Sequence, residues 1–345
     1  MKPGPAALVM LLLYSFTSFM CESPTGQKIP AGKISIDTTA QDFSFRTYQF
    51  GSGEESGILN DVWVFDQDNI WAVGYVSTDT VPPSNILHWN GREWETIGHL
   101  LTPSGLESIW ALDTSDIYFA AGNIAHYKNG KFEIINTYLN YNAGQGIGVL
   151  WGNSDNNIWG AGPSGTIIHF DGVRWGKIEF DRSRHFSKLT GSMQSGTAYA
   201  LAKNTSDETQ IVRLRNGLAE VIYDSQTDKV QLDAWTMSLV NENEIYAAGT
   251  KIWKINTETG QTEVLYDPPF TVHFEQCCSH AANDVYFLGS DNSGSVLVHY
   301  NGSRFTRFPL PESYEMNGDL FAVGNMAVSV GSSDNKASII EIIRN

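Results

Sequence analysis

Four histidines in this chain, His88, His126, His169 and His299, each stand directly before an aromatic residue. Imidazole is a frequent metal ligand, so such a set invites a metal-site reading. It fails on placement. The four occupy equivalent positions in different copies of one repeated sentence, so they are spread around a wide ring. A zinc ion needs its ligands about 2 Å from a common point. They read as packing residues whose ring nitrogens bond neighbouring loops or backbone, and no metal is expected. Cys277 and Cys278 are adjacent. In an oxidising compartment they can close a strained vicinal disulfide; otherwise they pack as small hydrophobes. Glycosidase chemistry needs two acids facing each other across a cleft. Most acids here instead fall in turns, such as Asp66-Gln67-Asp68 and residues 113–116, where they cap the chain locally. No calcium-loop register, G-x-S-x-G, H-E-x-x-H or paired C-x-x-C occurs, and the glycines of residues 144–148 precede a strand rather than a helix. No cofactor is called for.

The repeat sets the frame for what remains. Asn69-Ile70-Trp71-Ala72-Val73-Gly74 is followed by Ile86-Leu87-His88-Trp89-Asn90-Gly91-Arg92-Glu93-Trp94; the wording returns at residues 157–162 and 167–175. The glycines closing the second phrase, Gly91, Gly130, Gly172, Gly217, Gly260 and Gly302, are 39, 42, 45, 43 and 42 residues apart. That is the length of one four-stranded propeller blade. Short runs of Val, Ile, Trp, Tyr and Phe between Gly, Asn, Asp and Ser clusters read as strands and tight turns. Asn-Gly and Asp-Gly predict type I′ hairpins.

Strands are named a to d from the axis outward. The first full unit reads a at residues 61–65, b at 70–75, c at 85–89 and d at 93–97. The last unit supplies a, b and c and then the chain ends. An orphan strand at residues 42–50, Asp-Phe-Ser-Phe-Arg-Thr-Tyr-Gln-Phe, precedes the first a strand. It is predicted to complete the last blade and close the ring, which removes an exposed sheet edge. The count is seven blades: an all-β propeller in one domain over residues 41–345. Blade 4 is the most degenerate, because Tyr199-Ala200-Leu201-Ala202-Lys203 lacks the closing glycine.

In a propeller the d-to-a and b-to-c connections share one face around the channel mouth. The residues there with the most chemical capacity are Arg184, His185, His273 and Glu275, with Tyr141 and Tyr314 beside them; Tyr138, Arg182, Asp233 and Glu315 lie on the same loops. Trp63, Trp110, Trp151 and Trp235 fall at or near a strands, as interblade core or as an aromatic channel lining.

The 345 residues carry 22 Lys and Arg against 38 Asp and Glu, a net charge of −16. No basic cluster is present, which excludes nucleic acid and anionic lipid surfaces as partners. Lys2 is the only charge before Glu22, and residues 6–20 are apolar. That pattern reads as an export signal over residues 1–21, too short for a stable span. Cys21 sits where a bacterial lipoprotein carries its lipid, although Met20 precedes it where small residues are usual. Residues 22–40 read as a flexible tether.

The repeat wording resembles that of bacterial secreted and lipoprotein β-propellers, akin to kelch, galactose-oxidase-like and sialidase-like propellers, over residues 42–345. The turn Asn90-Gly91-Arg92-Glu93-Trp94 is similar in position to a sialidase Asp-box but departs from it in residues and spacing. The arginine triad and Tyr/Glu pair of a sialidase, and the Tyr/His copper set of galactose oxidase, are not assembled here. The expectation is an exported, monomeric binding or scaffolding module for a glycan, a peptide or an envelope protein, either lipid-anchored at the outer membrane or cell surface or periplasmic and secreted. The competing expectation is a polysaccharide hydrolase or lyase at the same mouth.

Overall fold

The computed structural model describes residues 40–51, 57–77, 84–98, 105–135, 137, 139, 143–228, 230–311 and 314–345. Seven four-stranded antiparallel sheets form the ring. Blade 1 spans residues 58–98, blade 2 108–135, blade 3 149–178, blade 4 185–224, blade 5 236–266 and blade 6 272–309. Blade 7 takes a, b and c from residues 320–344 and d from Phe43–Phe50. The N-terminal strand lies antiparallel to the C-terminal one, from Phe43 opposite Arg344 to Phe50 opposite Ala337. The orphan strand therefore closes the ring. Among the described residues no helix is long and apolar enough to cross a membrane.

The hairpin turns split into two kinds. Asn129-Gly130 and Asn216-Gly217 both have positive φ at both residues, as type I′ requires. In blades 1, 3 and 6 only the glycines do: Gly91 at 87°, Gly172 at 89° and Gly302 at 86°. There the Asx side chain caps the turn. Asn90 Oδ1 accepts from the N–H of Arg92 and of Glu93, both at 3.0 Å. Asp171 and Asn301 repeat this with the residues that follow them. The expected I′ turn at Asn90-Gly91 is thus a longer Asx-capped loop, and the next strand starts at Trp94.

Blade packing uses the large aromatics. Trp110 is buried and donates to Gly152 O of blade 3 at 3.0 Å. A Cβ on Gly152 would come within 2.7 Å of the Trp110 ring, and one on Gly191 within 2.5 Å of Trp151. Each tryptophan sets the edge of its ring against a glycine of the next blade. Blade 4 forms its b strand at Ala198–Lys203. Ala202 stands where five other blades carry glycine, and its methyl is fully buried.

The histidines follow one rule. His88, His126, His169 and His299 each place Nε2 within 2.6–3.0 Å of an Asx oxygen at the start of the b strand: Asn69, Asp116, Asn157 and Asp284. Each ring packs on the b-strand aromatic two residues further on: Trp71, Tyr118, Trp159 and Tyr286. The partner is a side chain of the same blade rather than backbone or a loop. No group of three or more metal-capable side chains converges among the described residues.

Candidate functional site at the channel mouth

Strand register identifies the axial residues. Trp63, Trp110, Trp151, Thr190, Ser238, Cys278 and Phe321 all occupy one position, opposite Trp71, Tyr118, Trp159, Tyr199, Tyr246, Tyr286 and Val328 respectively. Blades 7, 1, 2 and 3 thus present an aromatic arc, with Phe321 and Trp63 4.8 Å apart and Trp63 and Trp110 6.5 Å apart. Blades 4, 5 and 6 present small polar groups.

Two residues earlier, towards the mouth, the equivalent set is Asp61, Ser108, Val149, Lys188, Thr236, Gln276 and Asp319. This layer holds the axial charge. Lys188 of blade 4 donates to both carboxylate oxygens of Asp319 in blade 7, three blades away. Its chain bridges the channel. Burial works against the Lys188 charge, but Asp319 and Asp61 outweigh it and its pKa rises. Asp61 accepts from Ser108 Oγ at 2.7 Å, Ile109 N–H at 2.9 Å and Val62 N–H at 2.8 Å. Burial and then the neighbouring Asp319 push its pKa up to about 7. Gln276 turns away from the axis: it donates to Val330 O at 3.0 Å and accepts from Ser329 Oγ at 2.6 Å, tying blade 6 to blade 7.

Above this layer lies the mouth. Trp235 precedes the a strand of blade 5, three residues before that blade's position in the ring, Ser238, and is 46% exposed. Lys203, at the end of the b strand of blade 4, sets its ammonium 3.6 Å from the centre of the Trp235 ring. His185 opens the a strand of blade 4, is exposed, and is the register partner of Lys203. Burial lowers the pKa of both; for Lys203 the nearby Asp207 and Asp233 oppose that fall. Asp233 is already taken, accepting from Thr250 N–H at 3.0 Å and Thr250 Oγ1 at 2.9 Å. His273 tilts against Trp235 at 5.4 Å and lies 3.7 Å from Glu275. Glu107 stands exposed in blade 2.

The residues singled out from sequence divide accordingly. His185, His273 and Glu275 are at the mouth. Arg184 is not a free loop cation: it is 3% exposed, donates to Glu208 O at 2.8 Å, and lies 3.6 Å from Asp181. It clips the entry loop of blade 4 to that blade's own b–c turn. Tyr314 is buried as well, its hydroxyl accepting from Ser329 Oγ at 3.3 Å between strands of blade 7. Tyr138, Tyr141 and Cys21 lie outside the described residues. Cys277 and Cys278 are free thiols. They are consecutive in a regular strand, opposite Phe287 and Tyr286, so their side chains leave opposite faces and cannot be joined there. Burial raises both thiol pKa values, that of Cys278 to about 12, so neither is a ready nucleophile. Lys188, Asp319, Asp61 and Lys203 were not singled out. The available signal was the phrase position: charge two residues before the Trp63-equivalent in three blades. A groove of about 740 Å³ lies on the outer rim between blades 4 and 5, lined by Asp228, Glu244, Lys254 and Glu263 among others, away from the axis.

No protein-family profile matches the chain, and no curated protein matches it in sequence. Solved structures do match in shape. YCF48 bound to D1 peptide is 15% identical with a TM-score of 0.66, covering 89% of this chain and 99% of that one. The virginiamycin B lyase of Staphylococcus aureus is 13% identical with a TM-score of 0.62, covering 88% and 99%. A GH74 xyloglucanase of Xanthomonas campestris is 11% identical with a TM-score of 0.61; the match covers 88% of this chain and 54% of that one. At these identities the likeness is one of fold, and it places the chain among seven-bladed β-propellers.

Proposed function

We propose that this protein is a non-enzymatic, monomeric binding module that holds a segment of peptide or of a partner protein across its channel mouth, and that it works outside the cytoplasm, anchored through lipid on Cys21. One observation carries the binding reading. The mouth displays an exposed tryptophan with partly exposed ionisable side chains, over a channel bridged by Lys188 and Asp319. The axial acids do not suit glycosidase work. Asp61 and Asp319 come from neighbouring blades 1 and 7, side by side rather than across a cleft, and both are engaged in hydrogen bonds. Similarity in fold to a propeller solved with a peptide is consistent with this use of the mouth.

A peptide and glycan array probed with the purified protein tests the reading. Selective peptide capture, lost in Trp235→Ala without loss of thermal stability, supports it; selective glycan capture alone rejects it. The hydrolase or lyase reading rests on a different observation, the Asp61 carboxyl titrating near neutrality. It predicts polysaccharide turnover that Asp61→Asn abolishes. Incorporation of a clickable fatty acid at Cys21 tests the anchor, and its absence there sinks that part of the proposal.

A further inference from the structure

No acid pairs directly with the cationic arc of the mouth, although Asp207 and Asp233 lie near enough to act on the Lys203 charge. Among the described residues Lys203 makes no ion pair, and its ammonium rests only on the Trp235 ring. His185, its register partner, likewise has no acidic partner. The other partly or fully buried Lys and Arg side chains among the described residues find acids, such as Arg213 with Glu220 at 2.7 Å, Lys251 with Asp267 at 2.6 Å and Arg307 with Asp291 at 2.6 Å. In a chain of net charge −16, a partly buried lysine without an ion pair is exceptional. Such a cation keeps unspent attraction for an anion, which a desolvated site makes stronger.

From this we infer that Lys203, Trp235 and His185 form a carboxylate subsite, so that the segment held at the mouth is a peptide carrying an acidic side chain or its free C-terminus there. The inference rests on the peptide-binding reading above and narrows its ligand. Lys203 supplies the charge, His185 a ring nitrogen beside it, and the exposed rim of Trp235 an apolar surface for the neighbouring residue. A stacked sugar fits less well, because the ammonium already occupies one face of the indole and His273 leans on the same ring. Glu107 and Glu275, on the blade 2 and blade 6 sides of the mouth, repel acid there and direct the carboxylate to the blade 4–5 arc.

The test is selection from a displayed library of random 12-residue peptides, followed by binding measurements on synthetic hits. Each hit is made in three forms: as selected, with Asp and Glu changed to Asn and Gln, and with an amidated C-terminus. The expected result is enrichment of acidic or free-ended peptides, with at least a tenfold weaker dissociation constant when the responsible carboxylate is removed. Loss on the amide exchange identifies a side chain; loss on amidation identifies the chain end. Lys203→Gln should abolish that discrimination, and Lys203→Arg should retain most of it, both with unchanged melting temperature. If peptides bind but neither carboxylate change nor Lys203→Gln matters, the subsite is wrong and the peptide reading stands. If no peptide is selected, both fall.

Discussion

The seam that closes the ring and the arc of the mouth over blades 4 and 5 use the same residue types to opposite ends. At the seam Asp284 and His299 are fully buried and Arg344 nearly so. Arg344 Nη2 donates to Asp284 and, at 2.7 Å, to the Tyr286 hydroxyl. His299 Nε2 lies 2.8 Å from the same Asp284 oxygen. Gln41, just ahead of the N-terminal strand, donates to His299 O at 3.1 Å and accepts from Arg304 and Thr306. Gln41 ahead of the first strand and Arg344 in the last therefore grip one histidine of blade 6. At the mouth Lys203 and His185 face water with no acid attached. Buried charge with a partner holds the ring shut, and half-exposed charge without one stays open to a ligand.

That contrast breaks first, if it is wrong, at Arg344. Arg344→Ala leaves Asp284 buried without its cation, which typically costs about 3–5 kcal/mol. Chemical denaturation should show a loss of that order; a loss under about 1 kcal/mol would mean the seam is not a clamp. At the axis, Lys188→Met strips Asp319 of its partner in a site that is partly wet, with side chains 15% and 28% exposed. The expected destabilisation is smaller, about 1–3 kcal/mol, and the axial bridge is lost.

Asp61 sharpens the comparison through pH. Burial and Asp319 lift its pKa from 3.8 to about 7 in the folded chain. Between those values the folded state holds a proton that the unfolded state has released. The stability this contributes is full below pH 3.8 and is lost as pH rises through 7. Thermal melts across that window should show the decline, and Asp61→Asn should flatten it; an unchanged slope in the variant would place the titration elsewhere. The smallest effect belongs to the mouth. Lys203→Gln and Trp235→Ala should each shift stability by less than about 1 kcal/mol, since an exposed cation–π contact contributes about 0.5–1 kcal/mol. A larger loss would make the arc structural and remove the contrast.

The repeat wording carried the blade count, the ring closure at residues 42–50 and the common packing role of the four histidines. Each rests on local chemistry: β-branched and aromatic runs, turn glycines, and identical residues at a fixed period. The site was less legible. Arg184 and Tyr314 look like solvated loop residues, yet one is clipped to Glu208 O and the other is locked inside blade 7. The Asn90 turn shows the same limit at short range, since Asn-Gly permits two turn types and the Asx cap selected one.

By itself the sequence determined the fold, because strand period and turn chemistry are written within a few residues of one another. It also determined which side chains share an axial layer, once the register is known. Only the tertiary structure decided what those layers do. Lys188 meets Asp319 across 131 residues of chain, and Arg344 meets Asp284 across 60. Burial, not spacing, lifts Asp61 towards neutrality. Trp235 stands three residues before Ser238, the blade 5 equivalent of Trp63 and Trp110, and that offset along the chain places it in water at the mouth instead of in the ring of core tryptophans.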